Sequence, residues 1–180
     1  MRGSLAAVLI AMLVPTAASA GPIAERAAEA EAKLAAGDAA GAAAALDAAY
    51  DAFAAAAPFA LKTAAFASRI DGYGLYTPRA AGPFRAGDTV TIYAEPLGVA
   101  GSTLAPTIEI RDARGLIYAK ATDLPPIAAP AGAASRLFHI ALAFTLPTLR
   151  PGDYELVLTL DAGEAQGRTV TATLPMAVAP

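Results

Sequence analysis

The sequence predicts a mainly β protein: an antiparallel β-sandwich of about seven strands, preceded by an alanine-rich helical hairpin. Three observations predict it. From Ala64 onward, apolar residues recur at every second position in short runs punctuated by Pro and Gly. Successive side chains of a strand point to opposite faces, so each run reads as a strand with one apolar face, and two sheets packed face to face satisfy that pattern. Residues 24–57 are different: alanine dominates and no β-branched residue occurs, which favours helix. No helical pattern separates the strands after residue 64, so a βαβ arrangement is excluded.

Residues 1–20 read as a secretory signal peptide. Arg2 is the positive residue ahead of an apolar run from Leu5 to Val14, Pro15 breaks that run, and Ala18-Ser19-Ala20 presents small residues to signal peptidase. The run is much shorter than the ~20 apolar residues that cross a bilayer. Cleavage after Ala20 is therefore expected, giving a periplasmic or secreted protein with no membrane span. The absence of cysteine (Cys 0) excludes a lipobox lipid, and Arg2 stands alone rather than in a twin-arginine pair.

Residues 21–58 read as the helical hairpin. Gly37 ends one helix in a left-handed turn and Asp38 caps the next. Ile23, Ala27, Ala30 and Leu34 form one apolar stripe; Leu46, Tyr50, Phe53 and Ala57 form the other. Glu29 and Lys33 make a favourable i,i+4 pair, and Asp47 and Asp51 mark a solvated face. Gly37-Asp38 followed by Ala42, Leu46 and Ala49 resembles one tetratricopeptide-type unit. Such arrays need about three or more units, and there is no second copy, so the hairpin is expected to pack on the following domain.

Residues 59–180 carry the strands. Phe66, Ser68 and Ile70 alternate. In Thr89–Glu95, Val90, Ile92 and Ala94 take the core face and Thr91, Tyr93 and Glu95 the opposite one. Thr107–Ile110 is a short strand, and Asp112-Ala113-Arg114-Gly115 turns the chain into Leu116–Thr122. Residues 136–146 alternate Phe138, Ile140, Leu142, Phe144 and Leu146 against Leu137, His139, Ala141, Ala143 and Thr145. Tyr154, Leu156, Leu158 and Leu160 form the apolar face of the next strand, Asp161–Gly167 turns, and Val170, Ala172, Leu174, Met176 and Val178 form that of the last. Pro175 places this last strand at an edge or near a strand end.

Leu149-Arg150-Pro151-Gly152-Asp153-Tyr154-Glu155-Leu156 resembles the start of strand F in immunoglobulin-like and fibronectin-like sandwiches. There a tyrosine hydroxyl bonds back to backbone a few residues upstream, and Tyr154 is the structural tyrosine the resemblance implies. Gly72-Tyr73-Gly74-Leu75-Tyr76, Phe84-Arg85-Ala86-Gly87-Asp88, Ile92-Tyr93-Ala94-Glu95-Pro96 and Pro151-Gly152-Asp153-Tyr154 resemble a group of uncharacterised secreted bacterial proteins over roughly residues 58–178. That resemblance implies a periplasmic sandwich, no known activity and no site residues.

Composition removes several chemistries. Without cysteine there are no disulfides, thiolate metal sites or thiol nucleophiles. After loss of residues 1–20 the chain keeps twelve basic and sixteen acidic residues, a balance without the basic footprint that nucleic acid or anionic lipid requires. His139 is the single histidine, and no G-x-S-x-G occurs, so a Ser-His-Asp triad is not read. Zinc and copper want several His, Cys or Met ligands. Asp153, Asp161 and Glu164 flank one hairpin without a D-x-D-x-D-G calcium loop, and no phosphate-binding loop is present. No catalytic residue, metal or cofactor is assigned.

Binding is the function left. Tyr73, Tyr76, Tyr93 and Tyr118 fall in the first half of the sandwich with Arg79, Arg85 and Glu95 near them in sequence, a composition used by recognition surfaces. Tyr73, Tyr76, Tyr93 and Glu95 are the candidate binding residues, with Tyr93 and Glu95 expected to face solvent. The expected function is non-enzymatic binding of a protein or cell-envelope component. The alternative is a hydrolase of envelope glycans using two carboxylates among Asp88, Glu95, Glu109 and Asp112, which requires two acids within about 10 Å in one concave pocket.

Overall fold

The structure, a computed structural model, describes residues 21–163 and 168–180. The expected signal segment and the end of the expected Asp161–Gly167 turn lie outside those residues. Two helices, α1 (Pro22–Ala35) and α2 (Ala39–Ala56), precede nine strands: β1 (Ala60–Gly72), β2 (Leu75–Pro78), β3 (Thr89–Leu97), β4 (Thr103–Arg111), β5 (Ile117–Ala121), β6 (Ile127–Ala128), β7 (Ile140–Thr145), β8 (Gly152–Asp161) and β9 (Thr169–Val178). One antiparallel sheet runs β2-β1-β3-β7. The other runs β5-β4-β8-β9, with β6 beside β4.

The alternating residues fill the space between the sheets. Val90, Ile92 and Ala94 of β3, and Leu156, Leu158 and Leu160 of β8, are fully buried. Ile140 and Leu146 are buried on one side of the core, Leu174, Met176 and Val178 on the other. Full burial of a Leu or Ile side chain contributes roughly 1.5–3 kcal/mol, so these residues dominate stability. β9 is the outer strand of its sheet, as Pro175 requires, and Pro175 stands opposite Glu155. Tyr154 Oη donates to the Arg150 carbonyl at 2.9 Å.

The strand expected from residue 136 starts only at Ile140, because Gly132–Leu137 forms a short 3-10 helix, η1. β1 begins at Ala60, four residues before the alternating pattern does. β2 and β6 were not expected as strands; at four and two residues they are too short to show a period.

The helical hairpin folds where composition placed it. Gly37 has φ +79°, and Asp38 Oδ1 accepts from Gly41 N–H at 2.8 Å. Its buried stripe differs from the expected one. Ala30 of α1 and Ala42, Ala45 and Ala49 of α2 are the buried residues of the hairpin, whereas Ile23, Leu34, Leu46 and Phe53 remain exposed. Alanine faces let the helices approach closely, and close approach turns the larger side chains out to the flanks. The hairpin is tied to the sandwich by Arg136 of η1, whose guanidinium donates to Asp51 at 2.6 and 3.0 Å and to Asp47 at 2.5 Å. Where α2 runs into the sandwich, Gly98 passes so close that a Cβ would stand 2.6 Å from the Ala57 carbonyl oxygen.

Candidate functional site

The outer face of the β2-β1-β3-β7 sheet gathers the candidate binding residues. Tyr93 lies in the middle of β3, opposite Ala65 of β1 and Ala141 of β7. These two small neighbours leave its ring room to lie along the sheet. Parity turns Tyr93 and Glu95 away from the core, as alternation requires. They are not, however, solvent-facing: Tyr93 is 0% exposed and Glu95 3%. What covers them is a second layer of aromatic and polar groups.

The β1–β2 turn closes over Tyr93. Gly74 N–H donates to Tyr93 Oη at 2.6 Å, and Tyr93 Oη in turn donates to Glu95 Oε1 at 2.6 Å. Gly74 sits at φ +68°, where a larger residue would be strained. The Tyr76 ring stacks on Tyr93 with centroids 4.1 Å apart and planes 19° from parallel, and the His139 ring lies 5.7 Å away. Lys62 Nζ stands 2.8 Å from Glu95 Oε2 and donates to Tyr73 Oη at 3.0 Å, while also lying 4.9 Å from the Tyr73 ring centre. Its approach to Oε2 compensates the charge without the alignment of a hydrogen bond, so that buried oxygen has no aligned donor.

The electrostatics follow. Burial pushes the Glu95 carboxyl up, but the Lys62 ammonium and the Tyr93 hydroxyl outweigh it and hold Glu95 below the usual carboxylate range. Tyr93 is pushed up to about 12, first by burial and then by its bond to the Glu95 carboxylate. Lys62 is raised by its contacts with Glu95 and Tyr73. Glu95 is thus ionised, Tyr93 neutral and Lys62 charged at neutral pH.

Tyr73, Tyr76, Tyr93 and Glu95 therefore meet in one network, and Tyr73, Tyr76 and His139 keep part of their surface in solvent. Tyr118 lies elsewhere: its ring meets Tyr154 edge-on at 5.4 Å in the other sheet. Arg79 pairs with Asp88 at 3.2 Å and covers the Phe84 ring at 4.1 Å. Lys62 was not singled out from sequence. It sits where the β1–β3 register slips between Leu61 and Thr63. A bulge re-aims a side chain, and nothing in the local sequence announces this one.

The carboxylates weighed for hydrolysis each have their own partners. Glu109 is held between Arg111 and Lys120, Asp112 accepts from the Arg114 and Leu116 amides of its own turn, and Asp88 pairs with Arg79. Neither the crevice between α2 and β3, the slot between the sheets nor the groove on the hairpin is lined by two acids.

Fold and site define the class: a two-sheet antiparallel sandwich with an N-terminal helical hairpin and a buried tyrosine–glutamate–lysine network under one outer face. No protein-family model matches the chain, and comparison with curated proteins finds no match. Among solved structures it is similar to the CARDB domain of the PF1109 protein from Pyrococcus furiosus, determined in complex with di-metal ions. The similarity covers 53% of this chain and 78% of that one, at 14% identity and a TM-score of 0.31. Among the described residues of this chain, no group of three or more His, Asp or Glu side chains is placed to hold a metal ion.

Proposed function

We propose that this chain is an exported, non-enzymatic binding protein of the periplasm that recognises a protein or a cell-envelope component through the Tyr73–Tyr76–His139–Lys62 face. The observation that carries the reading is the convergence itself. Residues from β1, the β1–β2 turn, β2 and β3 are held together around the Tyr93–Glu95–Lys62 network, with the His139 ring, just before β7, beside Tyr93. Tyrosines held in advance by such a network lose little entropy on binding, which favours affinity. The signal-like residues 1–20 support export.

The test is capture from a periplasmic extract of the source cells by the immobilised mature chain and by Tyr73→Ser and Tyr73→Ser/Tyr76→Ser variants. Their thermal melts are recorded in parallel. Capture of a defined component that falls at least tenfold in the variants, with a melting curve still cooperative, supports the reading. Capture unaffected by either variant overturns this face as the binding surface.

A further inference from the structure

The two sheets do not match strand for strand. β1 packs against β9, and segment 81–84 extends the second sheet beyond β9. Phe84 N–H donates to the Ala177 carbonyl at 2.8 Å, Ala177 N–H to Ala81 at 2.9 Å and Ala179 N–H to Phe84 at 2.8 Å. The Phe84 ring meets Phe66 of β1 edge-on at 5.1 Å. Read across from that side, the second sheet offers 81–84, β9, β8, β4 and β5, and the first offers β2, β1, β3 and β7. Opposite β5 the first sheet has no strand.

A slot of about 270 Å³ lies at that place, lined by Ile108 and Ile110 of β4, Ala119, Lys120 and Ala121 of β5, Phe144 and Thr145 at the end of β7, and Pro147 just beyond it. Ala119 and Ala121 pair with Ile110 and Ile108, both buried, so the alanines share the inward face. β5 thus presents two small residues over apolar space.

The strand bordering the slot is the one unguarded edge among the described residues. β2 is short and ends in Pro78, β9 carries Pro175 and meets 81–84 at its C-terminal end, and β5 carries Lys120 and a register shift. β7 has no charge, no proline and an unbroken register with β3. Edges are normally blunted by one of these devices, because unpaired N–H and C=O groups recruit another strand. Leu146 N–H donates to the Asp88 carbonyl at 2.9 Å. Antiparallel pairing then turns Ile140, Leu142 and Phe144 to β3 and leaves the backbone groups of Ala141, Ala143 and Thr145 facing outward.

We propose that β7 and the slot form a strand-addition site for a lone extended peptide segment with apolar residues at alternate positions. Its backbone pairs with Ala141, Ala143 and Thr145, and its inward side chains fill the slot over Ala119 and Ala121. A second copy of the chain fits poorly. Its β7 arrives backed by its own β4 and β5, which would occupy the layer that β5 of the first copy already holds.

The probe is a capped peptide, Lys-Val-Thr-Val-Thr-Val-Lys, against its scramble Lys-Val-Val-Val-Thr-Thr-Lys, read by amide hydrogen exchange on the mature chain. The alternating peptide should slow exchange at Ala141, Ala143 and Thr145 at least tenfold, and the scramble should not. Ala143→Pro removes one outward N–H without removing a ladder bond, and should abolish the protection. Ala121→Phe fills the slot from the other sheet and should weaken the peptide at least tenfold with the edge intact; its own melt and that of Ala143→Pro show that each variant is folded. Equal protection by both peptides, protection at another edge, or no protection overturns the proposal. So does protection of these amides in the protein alone that rises with protein concentration, since a second copy would then be the occupant.

Discussion

Glu95 and Tyr154 show what a single side chain does in this fold. The folded state holds the Glu95 carboxyl below its unfolded value, so its ionised form stabilises the fold. That contribution is complete above the unfolded value of about 4.3 and is lost as pH falls through the lower, folded one. Acid denaturation should therefore be shallower for Glu95→Gln than for wild type below pH ~4.5, measured by urea midpoints across pH. Lys62→Met leaves the carboxylate without its cation and should cost about 1–3 kcal/mol, the range for stranding a buried polar group. Tyr154→Phe deletes the donor to the Arg150 carbonyl and should cost a similar 1–3 kcal/mol with an unchanged urea slope. A midpoint equal to wild type would show that this bond carries no stability. Tyr93 should ionise near pH 12 in an ultraviolet titration, a step that Tyr93→Phe removes.

At the scale of elements, the two units are held differently. β8 buries Leu156, Leu158 and Leu160 completely, and Leu158→Ala in its centre should cost about 2–5 kcal/mol, read as a lowered urea midpoint. The hairpin rests on the sandwich through Arg136 and its two aspartates, which are themselves largely exposed. Ion pairs of that kind are screened by salt. Arg136→Ala, or wild type in high salt, should speed amide exchange in α2 severalfold and leave exchange in β8 unchanged. Strand periods were legible because each of β3, β7, β8 and β9 has one apolar face repeated over several turns of the pleat. The hairpin stripe was not, because an alanine run gives every face nearly the same hydropathy and tertiary packing decides which one is inside. The candidate site was legible as residues but not as geometry. Parity put Tyr93 and Glu95 on the outer face, yet the two-residue turn and short β2 that bury them carry no period, and Lys62 arrives by a bulge.

Taken as a whole, the molecule divides its charge unevenly. The helical segment carries six acids against Arg26 and Lys33, whereas residues 59–180 carry ten acids and ten bases. Mass spectrometry of exported protein should find a chain starting at Gly21, and retention of Met1 would overturn the signal reading. The seating of 81–84 against β9 bears on how such a chain matures. Segment 81–84 has no backbone partner until residues nearly a hundred positions later have joined the sheet, and β9 itself lies between it and β8. Contacts so distant in sequence make folding slow, because the intervening loop must close before they form. The core around Phe84 is complete only once β9 has been made and seated. Under the export proposed above, late closure of this kind would leave the polypeptide unfolded for translocation until its last strand is available.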